Sequence, residues 1–213
     1  MASSPDTPSA PGSSGTTGAT APRPAGGPVL QDSVTAAISQ AFFEELAATG
    51  YAKLSLEAVA RRAGAGKAAI YRRWPAKQEM ALALISDVVA RTPEPLDSGA
   101  VREDLLAFLA ETAEVLRHPL ASKIIPDLLA EARRTPELGE ALLGAVREPR
   151  RSRAGRILDR AVERGELPAD LDHGIALDLL AGPLYWHIAV VNGTAEPGYL
   201  ERLADMLLAA LRG

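Results

Sequence analysis

The chain reads as all-α. Three observations carry that expectation. Apolar residues recur at helical spacing from Gln31 almost to the C-terminus, and no segment sustains an alternation of period two. The breaks between periodic segments are Pro and Gly clusters of the kind that end helices. With zero cysteines among 213 residues, neither disulfides nor cysteine zinc sites can staple an irregular fold.

Residues 1–28 stand apart. They hold 6 of the 16 prolines, one Arg, one Asp and almost no large apolar side chain, a composition that cannot offset its ordering entropy and predicts a disordered tail. The remaining 185 residues suffice for a reader of modest size joined to a larger body. The expected division is 29–91 and 92–213.

The first helix carries Val34, Ile38, Phe42 and Leu46 on one stripe and ends at Gly50. Ser55 is placed to cap a second helix, with Leu56, Val59, Ala60 and Ala63 on its apolar face and Glu57 in its first turn. Gly64-Ala65-Gly66 interrupts it. A third short helix follows from Lys67 to about Trp74, stopped by Pro75, and a fourth runs to about Ala90. Beyond the Pro-rich break 92–96, helices are expected over 100–117, 121–134, 137–147, 150–165, 172–192 and 197–212, with Pro149 as a separator and kinks at Pro126 and Pro183.

A net charge of −4 argues against a nucleic-acid partner until it is split by position. Residues 31–80 carry 7 basic and 5 acidic side chains, residues 81–213 carry 15 and 21. Within 61–77 there are six basic residues (Arg61, Arg62, Lys67, Arg72, Arg73, Lys77) and no acid. Two short helices joined by a Gly-containing turn, with a basic second helix, form the helix-turn-helix pattern for double-stranded DNA. On a helical wheel Ile70 and Trp74 point inward, while Ala68, Tyr71 and Arg72 lie outward with Ala69 and Arg73 on the other flank. Small alanines let the backbone approach a groove floor. Arg72 offers a bidentate fork to a guanine edge, and Lys67, Tyr71, Arg73 and Lys77 suit phosphate oxygens.

Over residues 34–85 the sequence resembles the DNA-binding domain of TetR-type transcriptional regulators. The matching stretches are Ala36 to Tyr51, Ser55-Leu56-Glu57-Ala58-Val59-Ala60, and Ala63 to Lys77 with its Ile70-Tyr71-Arg72-Arg73-Trp74-Pro75. A looser echo lies in Ala161-Val162-Glu163-Arg164-Gly165-Glu166-Leu167-Pro168. The resemblance implies an N-terminal three-helix domain whose third helix enters the major groove, and a larger C-terminal helical domain for ligand binding and dimerisation. It implies phosphate contacts at Tyr71 and Lys77, and a capping and backbone role for Ser55. Gly66, Ala69 and Ala76 stand where hydroxyl residues are common, which shifts affinity onto the basic side chains.

Other motifs lead nowhere chemical. Gly64-Ala65-Gly66-Lys67 lacks both anchors of a phosphate-binding loop, since position 61 is Arg and position 68 is Ala. His118, His173 and His187 have no metal-ligand spacing, so neither a metal nor a cofactor is expected, and no nucleophile elbow appears. Asn192-Gly193-Thr194 is read as a helix end. No apolar run is long enough for a membrane span and no secretory signal is seen, so a cytoplasmic protein is expected.

In the C-terminal part, Tyr199, Leu203, Met206 and Leu207 belong to a wide apolar stripe expected to form a homodimer interface. Phe108, Thr112, Ile125, Leu129, Trp186 and His187 are the expected lining of a small-molecule pocket, mostly apolar with a few polar handles. The run Arg147, Arg150, Arg151, Arg153, Arg156, Arg160 is read as a solvated helix face, which leaves an apolar effector. The reading is a dimeric repressor of a palindromic operator, released by that effector. Its alternative is a helical small-molecule binding protein or enzyme with an incidental basic patch.

Overall fold

The computed structural model describes residues 28–194 and 196–213, and they are helical without a strand among them. The expected disordered tail lies outside the described residues except for Pro28, which opens the first helix in the position where a missing N–H costs nothing. Among the described residues nine α-helices follow in order: α1 Pro28–Thr49, α2 Leu56–Ala63, α3 Lys67–Arg73, α4 Lys77–Ala90, α5 Val101–Arg117, α6 Ala121–Arg134, α7 Pro136–Glu163, α8 His173–Tyr185 and α9 Tyr199–Arg212.

Two apolar cores hold them. The first gathers Ile38, Phe42 and Leu46 of α1, Val59 and Ala60 of α2, Ile70 and Trp74 around α3, and Met80, Leu84 and Ile85 of α4. It also takes in Ile124 of α6 and Leu138 and Leu142 of α7, so the N-terminal helices rest on part of the C-terminal body. Val34, expected on the α1 stripe, is exposed, and the buried stripe of α1 begins at Ile38. The second core joins Leu105, Phe108 and Leu109 of α5, Ile157, Leu158 and Ala161 of α7, Leu180 and Leu184 of α8, and Leu207, Leu208 and Leu211 of α9.

Two expected boundaries differ. Pro149 does not separate two helices: α7 runs through it for 28 residues. Its N-terminal turns bury Leu138 and Leu142 in one core and its C-terminal turns bury Ala154, Ile157 and Leu158 in the other, which outweighs one lost N–H. In the 172–192 segment the α-helix stops at Tyr185 and a π-helical turn, Trp186–Val190, completes it. Pro183 has no N–H for the Leu179 carbonyl, and the ladder resumes with the wider spacing seen in Val191 N–H to Trp186 O at 3.0 Å.

Buried polar groups are tied across elements. The Asp104 carboxylate accepts from the Ser98 N–H and hydroxyl, both at 2.8 Å. Glu166, in the turn after α7, accepts from the Val101 N–H at 2.9 Å and so satisfies the start of α5. Its carboxyl is held below the ordinary range first by that backbone bond and then by Arg164.

Candidate nucleic-acid interface

The helix pair is set by its caps. Ser55 Oγ accepts from the Ala58 N–H at 3.1 Å and starts α2. Gly64 ends it at φ 62°, where its own N–H and that of Ala65 close onto Ala60 and Arg61 carbonyls. A Cβ there would be strained, so glycine fixes the sharp turn into α3. Gly66 opens α3 without a side-chain cap, as its lack of a hydroxyl requires.

α3 presents the faces that the wheel predicts. Ile70 and Trp74 are buried, while Lys67, Ala68, Ala69, Tyr71, Arg72 and Arg73 are all exposed. The six basic residues are not equally free. Arg62 bonds Glu45 at 2.8 Å and reaches Glu44 at 3.5 Å. Arg73 donates to Thr35 Oγ1 at 2.8 Å and lies 4.5 Å over the Trp74 ring. Lys77 donates to the carbonyls of Tyr51 and Ala52 at 2.9 and 3.0 Å and sits 4.7 Å over the Tyr51 ring. Lys77 therefore clamps the α1–α2 turn. Among the described residues Arg61 and Arg72 enter no ion pair, and Arg72 stands outward at the middle of the exposed face.

Sequence spacing does not reveal Glu57. From the first turn of α2 its carboxylate accepts the Tyr71 hydroxyl, a bond that lowers the Glu57 pKa and raises that of Tyr71. An acid thus stands beside the proposed phosphate-contacting hydroxyl, 14 residues away in sequence.

The same turn is held from behind. Asp127 of α6 accepts from the Tyr51 N–H at 2.8 Å, and a Cβ on Gly50 would lie 2.8 Å from Asp127 Oδ1. Gly50 is in the left-handed region at φ 74°. Close approach and backbone sign both require glycine here.

The expected effector pocket is split by the fold. Phe108 and Thr112 of α5 do face a common interior, and Ile125 packs half-buried at the edge of that core. Leu129 does not join them: it lies on the exposed side of α6, whose opposite face is taken by the first core. Trp186 is 62 % exposed, carried outward by the π-helical turn. His187 instead stacks on Tyr199 with ring centroids 4.3 Å apart, its Nε2 lying 3.1 Å from the Thr194 carbonyl oxygen, and so fixes the loop before α9.

Two members of the arginine run turn inward beside Phe108, against expectation. Arg153 is only 8 % exposed; it bonds both Glu111 oxygens at 2.9 Å and the Pro93 carbonyl at 2.5 Å. Arg150 is half-buried, donates to Thr112 Oγ1 at 2.6 Å and lies 5.3 Å from the Phe108 ring centroid. The docking of α7 on α5 turns positions 150 and 153 inward, while Arg147 stays exposed. A cavity of about 240 Å³ opens between α5, α7 and α8 beside them.

The expected dimer stripe divides as well. Leu207 is 4 % exposed and belongs to the second core, so it is corrected to an intrachain residue. Tyr199 and Leu203 are half-buried, whereas Met206 is 72 % exposed. Ile175 of α8 and Trp186 of the π-helical turn are likewise exposed large apolar side chains.

No cluster of three His, Asp or Glu suited to a metal ion occurs among the described residues, and no described helix is long and apolar enough to cross a membrane.

Residues 38–84 match the family of bacterial regulatory proteins named for tetR, and residues 95–207 match a tetracyclin repressor-like C-terminal domain. An HTH-type transcriptional regulator of Mycobacterium tuberculosis is 34 % identical over 158 residues, covering 73 % of this chain and 76 % of that one. The DNA-binding transcriptional repressor TetR of Mycobacteroides abscessus is 31 % identical over 181 residues, 83 % of this chain and 93 % of that one. Among solved structures, the TetR family transcription regulator SCO0332 superposes with a TM-score of 0.65 at 30 % identity, covering 83 % of this chain and 97 % of that one.

Proposed function

Because the chain belongs to the TetR family of bacterial regulatory proteins and is a DNA-binding transcriptional regulator, we propose that it acts as a homodimeric, effector-released repressor in the cytoplasm and not as an enzyme. Residues 29–91 read DNA and residues 92–213 sense and dimerise. The observation that carries the reading is α3, whose exposed face sets Arg72 between Ala68, Ala69 and Tyr71 over a buried Ile70 and Trp74. A short helix with small side chains around an uncommitted guanidinium fits a major groove, and Arg72 reads a guanine edge there. Lys67, Tyr71, Arg73 and Lys77 hold phosphates, and Ser55 sets the pitch of α2 beneath them.

The exposed apolar side chains of Ile175, Trp186 and Met206 support pairing about a two-fold axis, with Tyr199 and Leu203 at its edge. Two α3 helices then meet half-sites of a palindrome about one turn, ~34–36 Å, or a longer interval apart. Effector binding in the C-terminal part favours a conformer with a different separation, and the coupling is the difference in its affinity for the two.

Footprinting on DNA flanking the protein's own coding region tests the reading: a protected palindrome is expected. Arg72→Ala is expected to cost ~1–3 kcal/mol at one base pair while leaving binding to random DNA nearly unchanged. Equal losses on both would remove Arg72 from base reading. Indifference to all duplex DNA at low salt would refute the regulator's proposed mode altogether.

A further inference from the structure

We propose that the cavity between α5, α7 and α8 binds an amphipathic anion, a small apolar body bearing a carboxylate, with Arg150 as the residue that reads the acid. The proposal rests on the reading of the C-terminal part as the effector-sensing region and names the chemistry of that effector.

The contrast between two arginines on one helix carries it. Arg153 has its counter-charge: its two terminal nitrogens donate to both Glu111 oxygens and to the Pro93 carbonyl, and only its Nε is left without a partner. Arg150, three residues earlier, has no carboxylate within salt-bridge reach among the described residues. Its partner is the Thr112 hydroxyl, whose own proton is spent on the Phe108 carbonyl at 2.7 Å, so that oxygen only accepts. A guanidinium has five donors in a fixed fork; this one makes a single bond to Thr112 and lines the cavity. Burial holds Arg150 below the usual arginine range, with Arg153 adding to that effect and Glu111 opposing it. A cation this far removed from water, with Glu111 felt only at a distance and no carboxylate in contact, is costly unless an anion completes it.

The rest of the lining sets the other end of the ligand. Phe108, Ala154, Leu177 and Leu180 make the floor apolar, while Arg147 and Arg151 stand at the rim with Asp178, which bonds Arg151 at 2.8 Å. Three arginines against one aspartate leave the lining positive. A cavity of ~150 Å³ admits benzene, so about 240 Å³ accommodates a phenyl or short alkyl group with its acid. A second cavity, on the other side of Phe108, carries Asp104 and Glu111 and suits no anion.

The test is calorimetric titration of the full chain at neutral pH with phenylacetate and octanoate, against phenylacetamide and octanamide, which match their shape without the charge. The carboxylates are expected to bind at least about tenfold tighter than the amides. Arg150→Met is expected to abolish that preference, and Arg150→Lys, which keeps the charge without the fork, to retain part of it. The ligand-free thermal midpoint of Arg150→Met is expected to equal or exceed the parent's, because an unpaired cation has been removed; a purely structural arginine would lower it. Amides binding as tightly as acids, a preference surviving in Arg150→Met, or no binding of either acid at about 10 mM overturns the proposal. A DNA-release assay separates the two readings. Acids that bind yet leave DNA bound sustain the ligand chemistry and sink effector release, while amides that release DNA equally well do the reverse.

Discussion

Lys77→Met tests whether one side chain both braces the reader and touches DNA. In the free protein its ammonium holds the Tyr51 and Ala52 carbonyls at 2.9 and 3.0 Å and covers the Tyr51 ring. Hydrogen bonds to a charged donor contribute about 1.5–3 kcal/mol each when buried. This site is half-buried and water can replace the donor, so about 1 kcal/mol for each bond is the better figure. The ring contact adds ~0.5 kcal/mol at such exposure. Against these, Lys77 is the first residue of α4, where a cation opposes the helix dipole by ~0.3–1 kcal/mol. The net loss is about 1.5–2 kcal/mol, or about 3–8 °C in midpoint for a chain of this size. Urea unfolding followed by circular dichroism reads the first role. Fluorescence anisotropy on operator DNA over a range of salt reads the second, where the slope is expected to shrink by about one ion. An unchanged unfolding midpoint would refute the clamp, and an unchanged salt slope would refute the phosphate contact.

Three further outcomes follow from two pairs that the fold brings together. Glu57→Gln removes the negative charge beside the Tyr71 hydroxyl while keeping an acceptor for it, so operator affinity should rise modestly in the same anisotropy assay; a fall would show that the carboxylate positions Tyr71 for binding. In the same pair, Tyr71→Phe removes the bond that depresses the Glu57 carboxyl, whose titration followed by NMR should move upward toward the ordinary glutamate range. Arg153→Met removes the donors of the Glu111 carboxylate and the Pro93 carbonyl; Glu111 is 38 % exposed and partly hydrated, so the cost should be about 1–3 kcal/mol, read as a fall in calorimetric midpoint of about 2–12 °C. A midpoint like the parent's would mean that Glu111 finds water instead.

What the sequence discloses and what it hides divide by the distance over which the information acts. Ser55, Gly64 and the Ile70–Trp74 pair act within one or two turns, so caps, turn chemistry and period alone place the outward face of α3. Arg150 and Arg153 read as part of a solvated basic face because their partners Thr112 and Glu111 lie on another helix; Pro149 reads as a separator, and the two cores at the ends of α7 hold the ladder through it. Met206 and Leu207 are adjacent on one wide apolar stripe. Which faces outward depends on how α5 docks on α9, which the Arg102–Asp205 pair and the second core together determine. Trp186 and His187 are displaced by a change of helical pitch that no periodicity announces. Glu57 reads only as an acid in the first turn of α2; its bond to Tyr71 escapes the sequence because that partner lies on another helix.

The geometry of α7 constrains how any ligand beside Arg150 can be felt at α3. The helix spans about 40 Å at 1.5 Å per residue, with Leu138 and Leu142 in the core beneath α4 and Ile157 and Leu158 in the other. Its first turns are locked to α6: a Cβ on Gly139 would fall 2.5 Å from the Ala132 carbonyl, a gap too small for the two backbones to slide independently. α6 in turn carries Asp127 to the Tyr51 N–H, on the turn that Lys77 grips from the other side. Packed helices of this kind transmit displacement as bodies, so a contiguous route exists from cavity to turn. A route is not a coupling, which requires that the ligand prefer one of two arrangements. Pro149 supplies the place where two arrangements can differ at low cost. It removes the N–H due to the Ala145 carbonyl one residue before Arg150, so the helix can bend there without breaking a bond that it possesses.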